Sequence, residues 1–182
     1  MMTQRTGNKK LMNTNLFDLF EAAATETELN TFQDTIRKGG FTSFRLFIDG
    51  FRERLKRCED NDMANMRRLV TLAKKLFPQP QLFSPAWAQI WDEYELIVTY
   101  KQTVLETVPA DQRDGEWQII LDNPYTNSDL ICYPGLSFLE GAYMFAYFRT
   151  DLKNNEYIRL QKIQHVIMAF GSERAESAGK EQ

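Results

Sequence analysis

The polar side chains best spaced to meet a ligand lie between Asp122 and Gly135, in the run D-N-P-Y-T-N-S-D-L-I-C-Y-P-G. Asp122, Asn123, Tyr125, Asp129 and Tyr133 bring carboxylates, an amide and two phenols close together in sequence, just ahead of a very apolar stretch. Such a loop can line a pocket or offer aromatic rings to a partner. The same residues also make an ordered connector. Asn-Pro and Pro-Gly turn the chain, and Asn127 or Ser128 can satisfy backbone groups. Nothing in their spacing demands a reaction.

A second feature is a segregation of charge. Residues 37–77 hold eleven Lys and Arg against five Asp and Glu, whereas the whole chain carries −3. At 100° per residue, Arg45, Arg52 and Lys56 fall along one flank of their helix. Arg67 with Lys74, and Arg68 with Lys75, form two rows on the next. Two adjacent helices would then present one basic patch able to meet phosphates. A solvated helix face balanced by the acidic remainder accounts for the same pattern.

Other chemistry has less to build on. His165 is the only histidine, and on a helical wheel it lies beside Gln161, away from the apolar positions. Cys58 falls on an apolar stripe and Cys132 follows Ile131, so both read as small buried hydrophobes in a reducing compartment. No C-x-x-C, H-E-x-x-H or glycine-rich phosphate cradle occurs, and no metal or cofactor is expected. Pairs such as Glu140 with Asp151, or Asp122 with Asp129, are too few carboxylates to define a cation site.

The elements that must position these groups are mostly helical. Asn13 or Asn15 caps a first helix through L-F-D-L-F-E-A-A-A. Thr25 or Thr27 starts a second, which Gly39–Gly40 stops. Phe44, Phe47, Ile48, Phe51, Leu55 and Cys58 step by three and four, which predicts a helix over 43–58. Gly50 within it marks a place where another backbone approaches, since glycine is otherwise unfavourable there. Further apolar faces predict helices over 62–77 and 85–107. Trp87, Trp91 and Tyr94 on the latter, with Trp117 beyond it, serve as core or as anchors for a partner. Glu116 to Asp122 is too short to separate helix from strand, and Ser128 to Tyr133 could pair with it as a hairpin. Ser137 to Phe148 holds five aromatic residues behind an S-x-x-E capping box and predicts a buried central helix. A last helix carries Leu160, Ile163, Val166, Ile167 and Phe170.

The chain therefore reads as mainly α: a single-domain bundle of six or seven helices, with at most a small β hairpin or irregular segment near 116–133. Its parts are a flexible tail over 1–13, a helical bundle over 14–109, a linker and irregular loop over 110–136, a helical hairpin over 137–171 packed on the bundle, and a flexible tail over 172–182. No apolar run suffices for a membrane span, and the N-terminus has no signal-peptide pattern, so a cytoplasmic protein is expected. The leading functional reading is a non-enzymatic interaction or regulatory protein working through protein contacts, with a protein partner or as a homo-oligomer. The alternative is a nucleic-acid-associated helical protein using the patch in 45–75. The third is a small-ligand binder or enzyme built around the 122–135 loop.

Overall fold

The computed structural model describes residues 15–122 and 131–164. Among these, five α-helices surround a core and a three-stranded antiparallel sheet closes one side. Helix α1 spans Leu16–Ala22, α2 Glu26–Arg57, α3 Met63–Leu76, α4 Ile90–Thr107 and α5 Phe138–Arg149. The strands are β1 (Trp117–Asp122), β2 (Ile131–Leu136) and β3 (Tyr157–Lys162), in the order β2-β1-β3. No helix among the described residues is long and apolar enough to cross a membrane.

The helix starts follow local chemistry. Asn15 caps α1 by accepting from the Phe17 N–H. Thr25 opens α2 with a capping box: its hydroxyl accepts from the Glu28 N–H at 3.2 Å, and the Glu28 carboxylate accepts from the Thr25 N–H at 2.9 Å. Ser137 and Glu140 do the same for α5. Gly40 breaks the helical path with φ +58°, a conformation that glycine adopts without penalty. The chain resumes its helix at once, so 26–57 forms two helical segments joined by a kink at the place where Gly39–Gly40 was expected to separate them.

The expected last helix is the main correction. Residues 157–162 form β3, which pairs Ile119 with Leu160 and Leu121 with Ile158. Ile158 and Leu160 alternate with Arg159 and Gln161, a strand period that the helical spacing of Leu160 and Ile163 obscured. The C-terminal unit is thus a helix followed by a strand, not a helical hairpin, and among the described residues the helix count is five, not six or seven. Of the ambiguous 116–122 stretch, Trp117–Asp122 is strand, and it pairs with Tyr133, Cys132 and Ile131 as the hairpin reading anticipated. Val166, Ile167, Phe170, His165 and both terminal tails lie outside the described residues.

The core centres on rings. Phe47 lies within about 6 Å of Phe20, Phe32, Phe44, Phe51, Phe77 and Trp91, mostly edge to face. Trp91, Tyr94 and Trp117 are buried, so they serve the core and not an outer surface. On α5, Phe138, Ala142, Tyr143 and Ala146 face inward, while Glu140 and Tyr147 reach solvent. That helix packs against α2, α4 and the sheet, which gives it the central place its composition predicts.

The helix ends are held by side chains from elsewhere. The fully buried Lys101 of α4 donates from Nζ to the carbonyls of Leu55 (2.6 Å) and Lys56 (3.0 Å) at the end of α2. Burial pushes the Lys101 ammonium pKa below its usual value. Gln33 donates to the Leu76 carbonyl and the Trp91 indole to the Phe77 carbonyl, ending α3. Arg113 donates to the Leu105 and Val108 carbonyls, ending α4, and forms an ion pair with Asp60.

Two substitutions test this packing. A Cβ at Gly50 would lie 2.6 Å from Asn15 Oδ1 and 2.8 Å from Phe17 Cβ, because α1 crosses α2 there. Gly50→Ala should therefore destabilise by about 1–3 kcal/mol in a urea melt, although alanine is the better helix former. A more stable variant would show that α1 does not sit at Gly50. Lys101→Met keeps much of the buried stem but removes the ammonium from both carbonyls, leaving Leu55 only the weak Cys58 thiol donor. It should cost about 1–3 kcal/mol, and Lys101→Ala more, through the added cavity. Unchanged melting of Lys101→Met would remove the ammonium from the account of α2.

Candidate functional site

The expected loop site lies only partly within the described residues. Asp122 ends β1, and Tyr133 lies on β2 with its ring stacked on Phe148 at 5.3 Å. Asn123, Tyr125 and Asp129 lie outside the described residues. Tyr133 leads to a set of rings on α5: Phe148 meets Tyr147 edge-on at 5.4 Å, and Tyr147 stacks on Tyr143 at 6.2 Å.

Those rings border a groove that the sequence did not reveal. The N-terminal half of α4 and the C-terminal end of α5 enclose about 410 Å³ lined by Asp92, Glu93, Leu96, Tyr147, Phe148 and Asp151. Leu96 and Tyr147 are each 41% exposed. The carboxylates reach this place because Asp92, Glu93 and Leu96 lie on the α4 surface turned away from Trp91 and Tyr94 in the core. Lys74 holds Asp92 at 2.8 Å and Glu95 at 3.1 Å. Among the described residues, Glu93 and Asp151 have no ion pair of that kind. Burial raises the Glu93 pKa above the usual carboxylate value; nearby Arg52 opposes this and Asp151 adds to it. Burial likewise raises the Tyr143 phenol to about 12.

The predicted basic set is interleaved with acceptors. Arg45 and Arg52 share Asp49 at 3.8 and 3.4 Å, and Lys56 meets Glu53 at 2.7 Å. Arg67 donates to Gln102 and Arg68 to Asn65. Arg67 and Lys74 thus reach across to α4, whereas Lys56 lies over the Tyr143 ring of α5. The structure does bring Arg67, Arg68 and Lys75 together on the exposed face of α3. It does not join all seven cations into one uninterrupted surface.

Both cysteines are free. Cys58 is buried and donates to the Leu55 carbonyl at 3.2 Å. Cys132 is exposed, contrary to expectation, because it lies on the sheet face turned away from α5, beside Gln118. Among the described residues, no group of three or more His, Cys, Asp or Glu is placed to hold a metal ion. Comparison of the chain with family models, curated proteins and solved structures finds no match.

The Glu93 environment carries a pH signature. Its folded pKa is raised above the unfolded value near 4.5. Through that window the native state holds more protons than the unfolded chain, so the Glu93 contribution to stability falls as pH rises. Glu93→Gln abolishes this titration. Relative to wild type, the variant should gain stability as pH rises through the carboxylate range, from about 4.5 upward, in parallel denaturant melts. A constant difference across that range would show that Glu93 titrates normally.

Proposed function

We propose that the protein is a non-enzymatic interaction protein whose groove between α4 and α5 receives a cationic side chain from a partner protein. One observation supports this reading above the others: Glu93 and Asp151, without close ion pairs among the described residues, stand beside the exposed ring of Tyr147 and the half-buried ring of Phe148. A guest ammonium or guanidinium relieves the repulsion between the two carboxylates. The aromatic faces add cation–π attraction, about 0.5–2 kcal/mol according to how far the cation is desolvated. Leu96 supplies apolar contact for the stem of a long basic side chain. The exposed free thiol of Cys132 suits a reducing compartment and supports a cytoplasmic location.

The probe is a fluorescein-labelled peptide with one arginine flanked by leucines, compared with the same peptide carrying neutral citrulline. Fluorescence anisotropy should show the arginine peptide binding at least about tenfold more tightly, a difference of about 1.4 kcal/mol. Asp151→Lys and Tyr147→Ala should each erase most of that preference, and added salt should weaken it. Equal binding of the two peptides, or variants that bind like wild type, would overturn the reading.

A further inference from the structure

A second groove lies further along the same pair of helices and has the opposite charge. It encloses about 440 Å³ between the C-terminal half of α4, α5 and β3. Ile158, Arg159, Leu160 and Gln161 all line it. Successive strand residues point to opposite faces, so four in a row can border one groove only along the backbone edge of the strand. Among the described residues β3 is an edge strand, with β1 on its other side.

The pairing register fixes which backbone groups face the groove. The Ile163 N–H donates to the Glu116 carbonyl at 2.8 Å. Further along, Gln161 pairs with Gln118 and Arg159 with Ile120. Residues in an antiparallel ladder alternate between inward and outward bonding. Arg159 and Gln161 therefore turn their backbone groups to β1, and Ile158 and Leu160 turn theirs outward. Beneath this edge the floor is apolar, made by Val104, Trp117, Phe145 and Leu160. Two cations flank it. Arg149 lies over the Tyr100 ring at 4.2 Å, and Arg159 is exposed. Among the described residues, no carboxylate pairs with either arginine.

We propose that this groove takes an extended acidic segment of a partner protein, which adds to β3 as a further strand. The outward N–H and C=O groups of Ile158 and Leu160 supply the ladder, as in other strand-addition complexes. Alternate apolar side chains of the guest reach the floor, and its carboxylates meet Arg149 and Arg159. Charges on an exposed edge normally discourage unselective pairing. Here the same charges also choose the guest. Charge complementarity disfavours a second copy of β3 as that guest, because Tyr157–Lys162 contains Arg159 and Lys162 but no carboxylate. The proposal does not depend on the acidic groove, which prefers a guest of opposite charge and is tested with a different probe.

The test uses the full chain and a labelled peptide of alternating glutamate and valine. Anisotropy should report binding that weakens with salt and falls at least about tenfold in the R149E/R159E variant, with Arg37→Glu as a control that binds like wild type. A melt of the double variant confirms that it is folded. Bound peptide should slow hydrogen exchange at the Ile158 and Leu160 amides, and a backbone N-methylated peptide should do neither. Equal binding of a lysine–valine peptide would overturn the proposal, as would insensitivity to the double variant. So would exchange at those amides that is already slow in the free protein and unchanged by peptide, which would mean that the chain itself or a second copy occupies the edge.

Discussion

Helix C-termini leave carbonyls that their own helix cannot satisfy, and in this protein three of those ends lie against the core. Each is met by a donor from another element. Lys101 of α4 ends α2, Gln33 of α2 and Trp91 of α4 end α3, and Arg113 ends α4. Among the described residues, no buried side-chain nitrogen or oxygen lacks a partner. Lys101 is the most demanding case, because desolvating an ammonium is costly and only well-placed carbonyls offset the cost. Its two bonds fix the rotation of α4 about its own axis. That rotation in turn sets Trp91 and Tyr94 into the ring cluster around Phe47 and leaves Glu93 and Leu96 on the outside.

Much of the helical layer was legible because apolar spacing and caps are local signals. Asn15, Thr25 and Ser137 cap where their side chains suggest, and Gly50 marks the crossing with α1. The tertiary donors were less visible, since a lysine or arginine in a helix ordinarily reads as surface. Yet Lys101 interrupts the stripe Ile97, Val98, Val104, Leu105 at a core-facing position, and that interruption is a signal. β3 was missed for another reason. Six residues carry both a two-residue and a three-residue apolar period, and the partner strand that decides between them lies about forty positions away.

The grooves were not legible at all, because each needs two or three elements brought together by packing. Asp92, Glu93 and Asp151 are ordinary surface acids in the sequence. They converge only because the start of α4 lies beside the end of α5. Arg149 and Arg159 flank one groove only because β3 folds back to the outer side of β1. Tyr133 was the one member of the predicted loop set whose position proved informative, through its stack on Phe148.

The two grooves share a frame, and that bears on the binding proposed for them. Both are walled by α4 and α5, and the Arg149 guanidinium over Tyr100 lies on α5 between Phe145 of one groove and Asp151 of the other. Lys101 anchors α4 to α2 one residue beyond Tyr100. A guest in either groove would therefore meet walls whose spacing is already set by the core, and binding would not have to order them. Preformed walls would remove one part of the cost of association, the ordering of the receptor's own side chains and segments. The opposite signs of the two grooves add selectivity, since a segment that suits one is repelled by the other. The core chemistry that satisfies the end of α2 is thus also what holds the two proposed recognition surfaces in register.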